Sequence, residues 1–402
     1  MGNDYKDYYL NHFKSAVGHY DLYVLFFEKA LNIIRNRGVL FFITSNKYMS
    51  QGYGKGIREI FLQNEILSLI NFKFNVFEAT VDTCITAIKK DPPTNNLIKI
   101  LEVNSKIATE KDIEYILKDN SRFKLFKQEK FGIKKNFRTD LSEDDLNLFD
   151  KINSKSIHLG DICYVDTGVV VHSSKKNLKK EYFIKDRPDK GLKKFLEGKN
   201  IFRWHIRSCS YLDYQETLHH RPKMRELFEK EKIIMRRVIG KDGFYATYEP
   251  GEYYVENGVI LFTTINNLKE LDYQQLNRYL TKEAIALSKR FNLIFILSII
   301  NSKVIKWFFE KFYFDGLHIY PEHIRLFPIK EVDRIQQNQF IQFVDKILDI
   351  SKDSDYLNNL SKQAEVKEYE KEIDQLVYKL YHLTPGEIEI IETFCNKKIV
   401  DK

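Results

Sequence analysis

The sequence predicts an α/β protein whose first part is a portion of a doubly wound sheet, followed by an α+β region and a C-terminal helical hairpin. Three observations predict this. Between residues 20 and 103 the apolar positions switch repeatedly between helical and strand periodicity. Between 159 and 330, short β-like runs are separated by turns rich in Gly, Asn and Lys. From 333 to 394, two apolar stripes recur at helical spacing.

In chain order, Leu22, Leu25, Phe26, Lys29 and Ile33 fall on one helical face, and Gly38 closes that helix. Residues 39–44 are apolar on both sides, the pattern of a buried parallel strand. A helix over 55–63, strands over 66–72 and 83–89, and an edge strand over 97–103 complete the series. The charged stretch 104–158 reads as a linker with short helices. Strands are expected over 162–171, 232–239, 244–248 and 259–263, and a helix over 293–311. Phe340, Phe343, Val344 and Ile347 form one stripe and Ile373, Leu376, Val377 and Leu380 another, predicting two antiparallel helices joined around 351–354. The divisions that follow are 1–103, a linker 104–158, a second domain 159–330 and a helical tail 331–402.

The composition bounds the function. With 43% hydrophobic residues, 30 Phe and 24 Tyr in 402 residues, the chain can bury real cores. A formal charge of +8 permits an anionic partner without requiring one. The four cysteines are far apart and form no CxxC pair, which disfavours structural zinc and a disulfide framework and fits a reducing cytoplasm. No apolar run reaches the length of a membrane span, so no membrane partner is expected. His172 and His205 have no partners at ligand spacing, and no metal site is expected.

Three stretches stand in a fixed order: Asp21 to Leu31 (DLYVLFFEKAL), Gly38 to Met49 (GVLFFITSNKYM) and Tyr53 to Leu62 (YGKGIREIFL). The segment 75–84 (NVFEATVDTC) follows them. This series resembles the adenine-N6 DNA methyltransferases, and among them the fused restriction–modification enzymes called type IIG. Further stretches resemble the target-recognition domain of the same enzymes: 159–162 (LGDI), 195–201 (FLEGKNI), 232–236 (KIIMR), 297–302 (LSIINS) and 321–328, bounded by Pro321 and Pro328. The resemblance therefore covers nearly the whole chain. It implies that 1–103 is the second half of a methyltransferase domain and that 159–330 recognises double-stranded DNA.

The resemblance also implies what is missing. Such enzymes hold S-adenosylmethionine by a Gly-rich turn and an acidic residue, and the target amine by an Asn-Pro-Pro-Tyr loop. All of these precede the helix that begins here at Leu22. The expectation is that this chain has no catalytic residue, does not bind the methyl donor tightly and does not methylate alone. The strand at 39–44 would then lack a neighbour on one side. Its edge is expected to be covered by a separate amino-terminal methyltransferase half, by a self-dimer or by the chain's own first twenty residues.

Individual candidates carry competing explanations. Asp91-Pro92-Pro93-Thr94 imitates the catalytic loop, but Thr94 cannot stack on a base, and a Pro-Pro turn explains the quartet. Asp189 with Glu197-Gly198-Lys199 imitates a magnesium nuclease pattern, against which stands a charged loop and helix. Phe77 is either a core residue or, as the resemblance implies, the aromatic that stacks on a flipped adenine. Asn46 and Tyr48 follow a strand's carboxyl end and either wall a substrate pocket or cap the next helix. Lys175, Lys176, Arg236, Arg237 and Lys241 are the candidate DNA contacts, with groove contact expected from one of the two arginines; a solvated face is the alternative for each cluster.

The function expected is DNA target recognition within a site-specific adenine methyltransferase. The alternatives are a non-enzymatic DNA-binding specificity subunit and an assembly protein acting through its helical tail.

Overall fold

The computed structural model describes residues 3–74, 76–78, 81–103, 110–131, 137–174, 176–314 and 318–400. The chain forms two compact units, residues 1–146 and 147–402.

The first unit is built on a mixed five-stranded sheet. Helix α1 (Asn3–His12) and helix α2 (Leu22–Ile33) lead into β1 (Val39–Ser45). Helix α3 (Lys55–Leu62), β2 (Glu65–Phe72), β3 (Thr83–Lys89), β4 (Leu97–Val103), α4 (Glu110–Lys118) and β5 (Lys124–Lys127) follow. Strand β3 runs antiparallel between β1 and β2, and β2 is parallel to β4. Helices α2 and α3 cover one face, where Phe27 packs at 5.3 Å from the Phe42 ring and 5.0 Å from Phe61. On the other face Ile116 and Leu117 of α4 pack against Ile70, Phe72, Leu101 and Val103. Gly56 lets the segment 14–17 lie directly on α3, since a Cβ there would sit 2.6 Å from the Lys14 carbonyl.

Two expectations for this unit change. Strand β1 is not buried on both faces. Leu40 is buried, but Val39, Phe41 and Ile43 are 53%, 61% and 41% exposed. Its pairing among the described residues is antiparallel, to β3 alone. A returning strand inserted between β1 and β2 separates two strands that point the same way, which apolar runs cannot reveal. The described residues of the first twenty form no strand pairing with β1. Secondly, the stretch 104–158 is not a plain linker. Phe126, Phe131 and Phe137 pack with tilted rings at 4.9 and 5.0 Å and are buried together with Leu141. These aromatics are scattered among charges and make no periodic pattern.

The second unit contains two four-stranded sheets. One is antiparallel and joins the strands Gly243–Glu249, Lys232–Gly240, Val259–Thr264 and Cys163–Thr167. The other joins Tyr254–Val255, Lys193–Leu196, Ser210–Leu212 and Ile184–Lys185. A core that includes Phe183, Phe195, Phe228, Ile234, Tyr254 and Leu261 holds them together. Strands Ser156–His158 and Pro328–Lys330 pair and tie the ends of this region.

The tail contains three helices, Arg334–Ser351, Leu360–Leu380 and Pro385–Val400, where a hairpin of two was expected. It packs on the preceding domain: Phe340 lies 5.2 Å from Phe295, and the Tyr381 hydroxyl donates to the Pro328 carbonyl at 2.6 Å. Its stripe residues Val344, Ile347, Ile373 and Val377 are buried within the unit, which leaves little of that surface for an external partner.

Candidate nucleic-acid interface

In the first unit, the carboxyl ends of β1, β2 and β4 carry a polar network. Asn46 donates from its carboxamide to Asn71 Oδ1 at 2.9 Å. Asn71 donates to Thr139 Oγ1 at 3.1 Å, and Thr139 donates to Glu102 Oε1 at 2.6 Å. Lys73 lies 3.6 Å from the same Glu102 carboxylate. Arg138 and Asp140 flank Thr139 and bind each other through two bonds of 2.7 and 2.5 Å. Asn46 is thus held at the end of the sheet. The oxygen that caps the following short turn belongs to Ser45, which accepts from the Lys47 amide.

Tyr48 does not wall a pocket. It is fully buried, its hydroxyl is 2.7 Å from Thr86 Oγ1, and its amide donates to the Tyr23 hydroxyl. Burial pushes its pKa well above the ordinary tyrosine value. A tyrosine three residues beyond the strand is buried here because it lies in a tight 3-10 helix (Asn46–Met49). Phe77 is not a core residue: it is 53% exposed. It sits in the loop that leaves the carboxyl end of β2 and enters β3, and that loop is tied to the end of β1 by the bond from the Asn46 amide to the Asp82 carbonyl. Phe77 and Asn46 therefore share one end of the sheet.

In the second unit the basic candidates divide. Lys175 lies outside the described residues. Lys176 is exposed in a short loop closed by reciprocal backbone bonds between Ser173 and Leu178. Lys241 is exposed in the turn between the strands Lys232–Gly240 and Gly243–Glu249, and its carbonyl accepts from Lys306. No carboxylate pairs with Lys176, Arg236, Arg237 or Lys241 among the described residues.

Arg236 and Arg237 lie in a bulge. Between the pairs Met235–Ala246 and Ile239–Phe244, residues 236–238 oppose the single residue Tyr245. A bulge re-aims side chains that regular alternation would send to opposite faces. The Arg236 guanidinium lies against two rings set edge to face, 4.7 Å from the Phe202 centroid and 4.6 Å from that of Tyr245, and donates to the Lys199 carbonyl at 3.0 Å. Burial lowers its pKa. Gly240 makes room for this arrangement, because a Cβ there would meet the Tyr245 ring at 2.6 Å. Arg237 lies 4.9 Å over the Tyr320 ring and donates from Nε to the Ile319 carbonyl. Phe202 and Tyr320 were not among the sequence candidates, since they are distant in sequence from the arginines they hold. The same is true of Asn71, Glu102 and Thr139 in the first unit.

The nuclease-like residues serve local structure. Glu197 takes part in a capping box with Asn200 and pairs with Lys180 and Lys199 at 3.0 and 2.5 Å. No group of three or more His, Cys, Asp or Glu side chains among the described residues could hold a metal. His205 is buried and bonds through Nδ1 to the Ser351 carbonyl. All four cysteines are free, and three of them are buried. Among the described residues no helix is long and apolar enough to cross a membrane.

Residues 1–77 match the family model described as Eco57I restriction-modification methylase, and residues 193–287 match the TaqI-like C-terminal specificity domain. A curated relative, the type II restriction enzyme and methyltransferase RM.Eco57I of Escherichia coli, is 28% identical over 189 residues, covering 44% of this chain and 17% of that protein. The solved structure of the type IIL restriction-modification enzyme MmeI in complex with DNA is similar with a TM-score of 0.52 and 10% identity, over 100% of this chain and 55% of that one. The DrdV–DNA complex is similar with a TM-score of 0.50 and 10% identity, over 88% of this chain and 42% of that one. At such identity the structural likeness concerns the fold. The chain spans about a sixth of the curated relative's length and about half of each structural relative's. In order along the chain, a segment of the restriction–modification methylase kind is followed by a specificity domain.

Proposed function

We propose that this chain recognises the DNA target of a type IIG-like, adenine-specific restriction–modification methyltransferase and supplies one wall of its base pocket. The observation that carries the proposal is the bulged hairpin of residues 232–249. It lies within the segment matched as a specificity domain, and Arg236, Arg237 and Lys241 stand on it without carboxylate partners among the described residues. Guanidinium groups read base edges, and ammonium groups such as those of Lys176 and Lys241 neutralise phosphates. The free cysteines suit a cytoplasmic enzyme of this kind.

In the first unit, Phe77 offers an exposed ring in the loop at the carboxyl end of β2, the loop whose Asp82 carbonyl accepts from the Asn46 amide. Open α/β sheets bind ligands at this end. An exposed ring there is suited to stacking on an extruded adenine. The methyltransferase relatives use S-adenosylmethionine, which supplies the methyl group when bound. Glu102, the carboxylate at this end of the sheet, is engaged by Thr139 and Lys73. The chain's own part is to position DNA and the target base.

The exposed β1 edge, with Val39, Phe41 and Ile43 open on one face, supports a partner for this unit. The proposed occupant is the preceding half of a methyltransferase sheet, carrying the donor turn and the catalytic loop. A flat apolar edge otherwise invites non-specific pairing.

DNA binding tests the proposal. Affinity for a duplex containing the recognised site should exceed that for unrelated duplex and should fall steeply as salt rises from 50 to 200 mM. Affinity that is absent at low salt would sink it. Mixing with a polypeptide that carries the donor turn and catalytic loop should yield adenine methylation. A well-folded, inactive mixture that still binds the site would favour a specificity subunit instead.

A further inference from the structure

Resting on the DNA-recognition proposal, we infer that Arg237 is the residue that reads a guanine, through the end-on pair of its Nη1 and Nη2 groups, and that Arg236 is a positioning residue. The two arginines are adjacent, yet the bulge gives them different surroundings. The Arg236 guanidinium packs against Phe202 and Tyr245, whose rings meet edge to face at 79°, one Nη is spent on the Lys199 carbonyl, and Nε is enclosed without a partner. That group joins the strand Lys232–Gly240 to the strand Gly243–Glu249 and to the turn at Lys199. With one Nη held by Lys199 and Nε enclosed, its end-on pair of donors is not free as a pair for a base edge.

Arg237 has the opposite arrangement. Its Nε donates to the Ile319 carbonyl at 3.2 Å, and its backbone carbonyl accepts from the Ile319 amide at 2.9 Å. One face of the guanidinium lies on Tyr320. Nη1 and Nη2 have no hydrogen-bond partner among the described residues, and neither is an enclosed atom. An arginine held at Nε and on one face has lost much of its side-chain freedom before it meets a ligand, so less entropy is given up on binding. The edge left open presents two parallel N–H donors. In the major groove only guanine offers two adjacent acceptors, O6 and N7, at that spacing. A lone phosphate contact would not need such fixing, because an ammonium or a free guanidinium serves as well.

The test uses the full chain to select duplexes from a randomised pool, with wild type and the variants Arg237→Lys, Arg237→Ala and Arg236→Ala. Wild type should enrich a sequence with guanine at one position whose preference is lost in both Arg237 variants, while the other positions persist. Arg237→Lys keeps the charge and the stem, so its loss of guanine preference at retained non-specific affinity isolates the paired donors from folding. Replacing that guanine by 7-deazaguanine removes N7 and should weaken wild-type binding about tenfold, leaving Arg237→Ala unaffected. A uniform loss across all sequences would make Arg237 a phosphate contact and overturn the assignment, as would loss of the guanine preference in Arg236→Ala with Arg237→Ala unchanged. Absence of DNA affinity in every form, wild type included, would instead overturn the recognition proposal beneath it.

Discussion

The carboxamide of Asn46 donates to Asn71 Oδ1 at 2.9 Å, joining the carboxyl ends of two strands that a third strand separates in the sheet. Asn71 is 4% exposed and is also bonded to Thr139, so one buried side chain sets the height of Asn46 and of the 137–141 segment. Replacing Asn71 with Ala strands these partners. The first unit should lose about 1–3 kcal/mol in urea unfolding, the cost of leaving buried polar groups unpaired. A change within error would show that water or rearrangement satisfies the network.

Phe77 makes the contrasting prediction. Because the ring is half exposed, Phe77→Ala should alter stability by no more than about 0.5 kcal/mol. In a complex with the catalytic half, the fluorescence rise of 2-aminopurine placed at the target base should change as stacking is lost. An identical signal with Ala would remove the stacking role.

Strand β1 can be probed at Phe41, which is 61% exposed. Phe41→Lys should leave the chain folded and weaken its association with the preceding sheet half at least tenfold. Sedimentation at several concentrations distinguishes this from self-association, which the same substitution would abolish if a second copy covers the edge.

Lys232 and Glu249 face each other as a registered pair and are completely buried. Burial pulls the Lys232 pKa down, although the adjacent Glu249 opposes the shift. Lys232→Met should cost about 3–5 kcal/mol by leaving a buried carboxylate uncompensated. Glu249 also accepts from the amides of Gly251 and Glu252, so Lys232→Met combined with Glu249→Gln keeps those acceptors and should recover most of the loss. If the double variant is as unstable as the single, the buried charge is not the cause.

Asp374 supplies a pH dependence. Burial raises its carboxyl pKa to about 6. A folded-state value above the unfolded one means that its contribution to stability is complete below the usual carboxylate range and is lost as pH rises through about 6. The loss amounts to about 2 kcal/mol between pH 4 and 7. Asp374→Asn retains an acceptor for the Lys303 amide and should flatten that slope. Parallel stability curves for wild type and variant would refute the shift.

Much of the framework was legible in the sequence because burial writes periodicity. The helix at Leu22–Ile33, the strands of the first unit and the strands Lys232–Gly240 and Val259–Thr264 all follow apolar spacing. The basic hairpin was legible as well, since Arg236, Arg237 and Lys241 cluster around a Gly-rich turn. Burial of Phe126, Phe131 and Phe137 left no periodic trace, and neither did the third tail helix Pro385–Val400.

By itself the sequence determined the helix and strands of 22–103, the strands at 232–249 and 259–264, their order, and the resemblance to a methylase segment followed by a recognition domain. Only the tertiary structure decided that Tyr48 is core and Phe77 is exposed, and that Arg236 packs on two rings and bonds Lys199 while Arg237 keeps both Nη groups open. The physical reason is that periodicity records which face of an element is buried. The fate of one side chain depends instead on residues far along the chain, as Arg237 depends on Ile319 and Tyr320.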